Sequence, residues 1–191
     1  MFLLSLAACS KAPENAASAQ KQENAAEANN EESALAKAAT KGRIDTAKSL
    51  IAAGENVNAT DALGRTPLHM AVFNARPKTA ALLIASGADV NVKDRVGMTP
   101  LHAAVLAGGL QEAQLLLDRK ADVMAASETG LTPLHLAAAT GQPQLAALLI
   151  EYGADPQNKD REGDTPIALA TKNNHPKTTA LLQQHISKQA R

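Results

Sequence analysis

The sequence predicts an all-α fold, a solenoid of about five stacked helix–turn–helix pairs joined by β-hairpin-like loops, over residues 33–191. The tetrapeptide TPLH occurs at Thr66–His69, Thr99–His102 and Thr132–His135, a step of 33 residues, and a weaker copy, TPIA, follows at Thr165–Ala168. A glycine two residues before each threonine and a leucine pair after it keep the same step. One such unit cannot bury its own apolar face, so at least about three copies must stack to form a core.

The TPLH motif marks the start of the first helix of each pair. Thr66 is a suitable N-cap, because its hydroxyl can accept a hydrogen bond from a free amide of the first turn. Pro67 fits the first helical position, where its missing N–H leaves no hydrogen bond unmade. Leu68, Ala71 and Val72 then fall on one helical face, which predicts the buried side of this helix.

The second helix of the pair follows a short turn. Pro77 restarts the chain, and the pattern predicts a helix over residues 78–86. Its predicted apolar face consists of Ala81, Leu82 and Ile84. Gly87 then suits the left-handed residue that commonly ends a helix. The chain continues from there through a loop to the next unit.

Three positions depart from the repeat. Lys120 stands where other units have the glycine that ends the second helix, and a left-handed lysine costs on the order of 1 kcal/mol. Met124 replaces an asparagine of the two preceding units, and Ala75 replaces a loop glycine. The last unit, 160–191, lacks the histidine and ends in the polar QQHISKQAR, as expected of a terminal cap.

TPLH on a 33-residue step, with GADVN after the second apolar run, resembles the ankyrin repeat. The resemblance covers Ser33 to about Ser187 and divides it into five repeats. Their approximate bounds are 29–60, 61–93, 94–126, 127–159 and 160–191. The first repeat keeps the two-helix pattern but has SALA, from Ser33, in place of TPLH. The resemblance implies a non-enzymatic protein–protein interaction module.

Three threonine–histidine pairs should form a row along the stack. They are Thr66 with His69, Thr99 with His102, and Thr132 with His135. Their spacing puts the imidazole rings about 10 Å apart, whereas a zinc ion needs nitrogens about 2 Å from itself. One ion cannot bridge the row, so no metal site is predicted. We expect each imidazole to bond the threonine three residues earlier and nearby backbone amides.

Composition and motifs predict neither an enzyme nor a nucleic-acid-binding protein. The formal net charge of the 191 residues is zero, so no basic surface is indicated. The sequence contains no Gly-x-Ser-x-Gly frame, no HExxH motif and no phosphate-binding loop. The prediction therefore includes no catalytic residue, no cofactor and no small-molecule substrate.

The ankyrin resemblance implies that partners bind at the hairpin tips and at the exposed ends of the first helices. Carried onto this sequence, the partner-binding positions are Leu63, Arg65, Phe73, Asn74, Arg95, Val96, Met98, Leu106, Leu131, Thr140 and Arg161. These positions differ between repeats, whereas the structural positions recur. Phe73, Met98 and Leu106 would anchor a protein partner within a rim of arginines. In the alternative interpretation, Phe73 and Leu106 only fill space between helices.

The N-terminal segment has a different character. Residues 1–8 form an apolar run, and Leu6-Ala7-Ala8-Cys9 resembles a bacterial lipobox, which implies cleavage before Cys9 and lipid attachment to it. Residues 9–32 then supply the cysteine and a flexible polar tether, since residues 10–32 lack Leu, Ile, Val and aromatics and carry a charge of −3. Residues 1–8 contain no basic residue. Either the true start lies upstream, or the match is accidental.

The predicted function is a membrane-anchored bacterial envelope protein that binds a protein partner through its concave face and hairpin tips. Ser10 after the cysteine resembles outer-membrane sorting, which implies the periplasmic face of that membrane. Two alternatives stay open. One is an accessory factor that supports a periplasmic enzyme such as an oxidative-stress enzyme, and the other is a cytosolic or secreted ankyrin adaptor.

Overall fold

In the computed structural model, residues 32–189 are described, with ten α-helices. The helices are α1 (Ala34–Lys41), α2 (Ile44–Ala52), α3 (Pro67–Phe73), α4 (Pro77–Ala85), α5 (Pro100–Leu106), α6 (Leu110–Asp118), α7 (Pro133–Ala139), α8 (Pro143–Glu151), α9 (Pro166–Lys172) and α10 (Pro176–Gln189). No strand occurs within this range. The predicted all-helical solenoid is confirmed, with five helix pairs in the described residues.

The helices form two layers. Each odd-numbered helix packs against the next odd-numbered helix, from α1 to α9, and the even-numbered helices do the same from α2 to α10. Within each pair, a turn of two or three residues joins the helices, which also pack against each other. The hydrophobic core therefore runs continuously between the two layers along the stack.

The first helix of each pair forms as predicted. In α3, Leu68, Ala71 and Val72 are fully buried, and Pro67 occupies the first helical position. The corresponding leucines and alanines of α5 and α7 are also fully buried: Leu101, Ala104, Leu134 and Ala137. The small alanines let neighbouring helices approach closely. In α1 the cap is Ser33, whose Oγ accepts the Ala36 amide at 3.0 Å.

The prediction of the buried face of the second helix is wrong. Helix α4 begins at Pro77, and its buried residues are Thr79, Ala80 and Leu83. The residues predicted for the core, Ala81, Leu82 and Ile84, are half-buried, and Leu82 and Ile84 pack against the core from its margin. The buried face therefore combines the small Thr79 and Ala80 with Leu83, one of the largest fully buried side chains, and lies one residue away from the predicted one.

The turns contain three non-glycine residues in the left-handed region. Lys120 has φ 65°, Ala75 has φ 53° and Asn174 has φ 58°. Gly87, at the position of Lys120 one unit earlier, has φ 91°. The expectation of a strained turn at Lys120 is therefore confirmed in its geometry, because L-residues with a side chain disfavour this region.

Candidate functional site

Three of the four loop tips between the described helix pairs are built on aspartates, and Ser127 takes that place in the third tip. Asp61 Oδ1 accepts the amides of Leu63 and Arg65 at 2.8 and 2.9 Å, and its own amide donates to the Arg65 carbonyl at 3.0 Å. Asp94 and Asp160 accept hydrogen bonds in the same way one and three units later. These bonds give each loop a hairpin-like tip, as predicted, without a β-ladder in the described residues.

Neighbouring tips are linked by backbone hydrogen bonds. The Arg95 amide donates to the Leu63 carbonyl at 2.9 Å, and the Glu128 amide donates to the Val96 carbonyl at 3.0 Å. At Gly97, which has φ 78°, an added Cβ would lie 2.7 Å from the Glu128 nitrogen. Glycine is therefore required where one tip meets the next, and the tip side chains stand side by side in a fixed order.

Each predicted threonine–histidine pair occurs as expected. The threonine amide donates to the histidine Nδ1 at 3.1 to 3.2 Å, and the threonine hydroxyl lies 2.8 to 2.9 Å from the same nitrogen. The six residues, Thr66, His69, Thr99, His102, Thr132 and His135, are all buried. Because a backbone N–H can only donate, Nδ1 is the acceptor and the ring proton lies on Nε2.

The histidines also join neighbouring units, which the sequence did not reveal. Nε2 of His69 donates to the Met98 carbonyl at 3.2 Å, and Nε2 of His102 donates to the Leu131 carbonyl at 3.0 Å. His135 makes the same bond to the Asp164 carbonyl at 3.2 Å. Each imidazole therefore connects the start of a first helix with the tip of the following unit.

Burial lowers the pKa of His69, His102 and His135 below the ordinary value of 6.5. The hydrogen bond between each Nε2 and its carbonyl raises the pKa, but by less than burial lowers it. Within the described residues, no group of three or more His, Cys, Asp or Glu side chains could hold a metal ion. The hydrogen bonds from each imidazole to its own helix cap and to the next tip give the histidine row a structural role.

Four predicted partner-binding residues form an exposed apolar band on the first two tips and helices of the central stack. Leu63 and Phe73 are each 54% exposed, Val96 is 53% exposed and Leu106 is 39% exposed. Leu63 and Val96 lie on linked tips, and Phe73 and Leu106 end the adjacent helices α3 and α5. We call these four residues the groove surface. Phe73 and Leu106 thus both count among the exposed large apolar side chains of the described residues.

Other predicted binding residues are partly engaged within the fold. Met98 and Leu131 are half-buried, and their carbonyls accept the histidine bonds. Asn74 Nδ2 donates to the Met70 carbonyl at 2.8 Å. The exposed Thr140 turns its hydroxyl to the carbonyl of its own helix at 2.7 Å.

The predicted arginine rim consists of residues in two different states. Arg65 forms an ion pair with Asp61 at 2.7 Å. Burial alone would raise the pKa of Asp61, but hydrogen bonds from Arg65 and from the tip amides hold it below its ordinary value. Arg95 and Arg161 are exposed, and neither forms an ion pair with any residue from 32 to 188. They are the rim cations available to a partner.

The groove surface changes character toward the last units. Ala139 and Lys172 take the positions of Phe73 and Leu106, and Lys172 forms an ion pair with Asp164. Thr129 takes the tip position of Leu63. The apolar part of the site is therefore confined to α3, α5 and their tips.

Two exposed apolar side chains outside the groove surface were not predicted. Leu110, at the start of α6, is 44% exposed, and Tyr152, which follows α8, is 37% exposed. The Tyr152 hydroxyl donates to Asp118 Oδ1 at 2.5 Å, and this bond raises the pKa of Tyr152. Both belong to the second-helix layer, so they are well suited as controls for the groove surface.

The predicted lipid site, Cys9, lies outside the described residues, as do the signal segment 1–8 and the tether up to residue 31. Between residues 32 and 189, no helix is long and apolar enough to cross a membrane.

The comparisons with known proteins agree with this architecture. A family model for ankyrin repeats in three copies matches residues 4–94, 75–160 and 101–191. No curated protein matches the chain. The matched segments together cover nearly the whole sequence, and ankyrin repeats indicate a protein–protein interaction module. With its helix pairs, linked tips and TPLH caps, the chain belongs to the ankyrin-repeat family.

Proposed function

We propose that the groove surface binds a protein partner through an apolar contact centred on Phe73 and Leu106. The exposure of these two side chains, which end the neighbouring helices α3 and α5, carries the proposal, because exposed apolar patches mark interaction sites. Aromatic residues at the centre of an interface often dominate its binding energy.

The distribution of residues along the repeats supports this assignment. Positions that pack the stack keep the same residue at each step, as with Leu68, Leu101 and Leu134. The positions of Leu63 and Phe73 change at each step, although the backbone that carries them is constant. Residues that vary on an unchanging framework are available to specify a partner.

The charged rim would add selectivity rather than most of the affinity. Arg95 and Arg161 are exposed on the second and fourth tips, with Glu128 on the tip between them. A partner with a carboxylate beside its apolar anchor would satisfy Arg95 without leaving a buried charge unpaired. Exposed rim charges of this kind mainly affect the association rate and its dependence on salt.

The test begins with affinity capture from solubilised cell envelope, after which the captured protein is purified and its Kd measured. The double variant Phe73→Ser/Leu106→Ser should weaken binding at least tenfold, since it removes both anchors. The matched control is Leu110→Ser/Tyr152→Ser, which removes two exposed large side chains from the other layer. The control should bind like the wild-type chain.

Equal affinity of the wild-type chain and the Phe73→Ser/Leu106→Ser variant, with an intact circular dichroism spectrum, would refute the proposal. Loss of binding in the control instead would place the contact on the second-helix layer.

The second part of the proposal is that lipid on Cys9 holds the chain at the bacterial envelope, on the periplasmic face of the outer membrane. It rests on the LAAC pattern and on the polar segment that follows it. Two or more acyl chains are needed for stable anchoring. In cells labelled with a fatty acid, Cys9→Ser should abolish the label and release the protein from the membrane fraction. Unchanged labelling and fractionation would exclude the anchor.

A further inference from the structure

Four cations occur in and directly beside the turns that join the helices of the first two pairs, at one edge of the stack. This cationic edge consists of Lys41, Arg43, Arg76 and Lys78. The two turns are in contact, because Gly42 and Ile44 line one shallow depression together with Arg76 and Lys78. Arg76 also reaches the first pair directly, since its Nε donates to the Thr40 carbonyl at 3.3 Å.

The charge of this edge is not compensated by ion pairs. Within residues 32–188, the two ion pairs join Arg65 to Asp61 and Lys172 to Asp164, and neither involves the edge. Asp45, in the first turn of α2, is the carboxylate nearest in sequence. The corresponding positions of the third and fourth pairs are uncharged: Ala107, Gly109, Gln111, Thr140, Gln142 and Gln144. The fifth pair has one lysine at these positions, Lys177, so two lysines or arginines in one pair occur only in the first two pairs.

The side chain of Glu32, at the start of α1, reaches toward this edge at the other end of the helix. Glu32 directly precedes the N-cap Ser33, yet its Oε1 accepts a hydrogen bond from Thr40 Oγ1 at 3.1 Å. Thr40 lies about 9 Å further along the axis of α1 than Ala34. The carbonyl of the same threonine accepts the bond from Arg76. The Glu32 side chain is thus directed along α1 toward the cationic edge.

The residues that precede Glu32 have the complementary charge. Glu23, Glu27 and Glu31 follow one another at steps of four, and residues 22–31 contain no cation. The nine residues from 23 to 31 span at most about 30 Å when extended, which is enough to reach any part of the edge. A segment tethered in this way has an effective concentration on the order of millimolar at a nearby site.

We propose that the cationic edge is the docking surface for the acidic segment 23–31 of this chain. The three glutamates pair with Lys41, Arg43 and Lys78, while Arg76 stays bonded to Thr40. Individual exposed ion pairs are weak, but tethering and the concentration of four cations at one edge favour the bound state. The interaction is electrostatic, so salt must weaken it.

Docking would affect the groove surface as well as the tether. Thr40 holds in the first pair the position that Phe73 holds in the second. A segment bound at Thr40 and Lys41 therefore borders the N-terminal end of the groove surface. It also shortens the free tether between Cys9 and the repeats.

The experiment measures the distance between two spin labels on the full chain in a Cys9→Ser background. Ala25→Cys places one label on the acidic segment, and Thr46→Cys places the other at the exposed start of α2. At 20 mM NaCl we expect a population of short distances. At 1 M NaCl this population should fall at least twofold, because the Debye length shrinks to about 3 Å.

Charge variants identify the docking surface. In low salt, Lys41→Gln/Arg43→Gln/Lys78→Gln should also lower the short-distance population at least twofold. The matched control removes three exposed cations of the last two units, Lys159→Gln/Lys177→Gln/Lys188→Gln, and should change nothing. A charge exchange should restore the short distances: Glu23→Lys, Glu27→Lys and Glu31→Lys combined with Lys41→Glu, Arg43→Glu and Lys78→Glu.

Two results would overturn the proposal. One is a distance distribution that is the same at both salt concentrations and in the neutralised variant, with helix content unchanged. The other is sedimentation of the full chain with phosphatidylglycerol vesicles that depends on Lys41, Arg43 and Lys78 while the label distances do not. That second result would assign the cationic edge to a membrane surface.

Discussion

Acidification from pH 7.5 to 5.5 should destabilise the repeat stack through its three buried histidines. Nδ1 of His69, His102 and His135 accepts a threonine amide, and burial holds the pKa of each below 6.5. A proton added at Nδ1 would face that amide N–H and break the bond. In the unfolded chain the same ring takes up a proton freely, at a pKa of about 6.5.

The sign and size of the pH effect on the free energy of unfolding follow from this difference in proton affinity between the folded and unfolded chains. Because the folded pKa lies below the unfolded one, the stabilisation is fully present above about pH 6.5 and is lost as the pH falls below it. At pH 5.5 each histidine costs up to about 1.4 kcal/mol, and the three together up to about 4 kcal/mol. Domains of this size are stable by about 5–15 kcal/mol, so the effect is a large fraction of the total.

Urea unfolding followed by circular dichroism at pH 7.5, 6.5 and 5.5 measures the free energy of unfolding directly. The control is the triple variant His69→Gln/His102→Gln/His135→Gln. Glutamine suits the same capping position and does not titrate. The variant should be less stable at pH 7.5, and its free energy of unfolding should change less with pH. Any pH effect of the remaining histidines is also present in the variant and can be subtracted from that of the wild-type chain.

The chosen window separates the histidines from the carboxylates. The pKa of Asp61 is lowered by its bonds to Arg65 and the tip amides, so its contribution is lost only below about pH 4. A wild-type free energy of unfolding that stays constant within about 0.5 kcal/mol between pH 7.5 and 5.5 would refute the reasoning. An equal pH dependence in the triple variant would refute it too.

Four substitutions test the turns, each by urea unfolding. Gly97→Ala should cost about 2 kcal/mol, because it combines φ 78° with a Cβ 2.7 Å from the next tip amide. Gly54→Ala, with φ 89° but open space, should cost less, and equal losses would exclude the clash. Lys120→Gly should stabilise by about 1 kcal/mol by relieving the left-handed lysine, and no gain would mean that the turn relaxes. Met124→Asn should stabilise by about 1 kcal/mol, because an amide oxygen accepts the Asp155 amide better than the sulfur now 3.3 Å away. Unchanged stability would show that water already serves that amide.

The first helix of each pair could be predicted from sequence because its signals are local. Thr66 and Pro67 fix the helix start, and the cap bonds span three residues. The bond from His69 to the Met98 carbonyl spans 29 residues, and no local pattern encodes it. The repeat does offer a signal for it, since each histidine keeps the same distance to the following tip.

The buried face of the second helix was harder to predict because this helix packs against the first layer and against a second helix on either side. Ala80 and Leu83 face the first layer, while Leu82 and Ile84 meet the neighbouring second helices at the margin of the core. A single-face pattern ranks the bulky residues as most buried. Here Thr79, Ala80 and Leu83 are buried while Leu82 is only half-buried, so burial follows position on the helix rather than side-chain size. Contacts with the first layer, which the sequence does not display, decide which residues are buried.

The sequence predicted the partner-binding residues only as a set of positions. The structure separates those whose side chains are already bonded within the fold from those that are exposed. Arg65 and Asn74 are held by bonds within their own unit, whereas Phe73 and Val96 remain largely exposed. Tip hydrogen bonds and the histidine links hold the backbone under these exposed residues in one arrangement. A partner would therefore meet a preorganised surface and lose little free energy in ordering it. Since the framework bonds involve the backbone or recurring residues, the groove surface can change without loss of the stack.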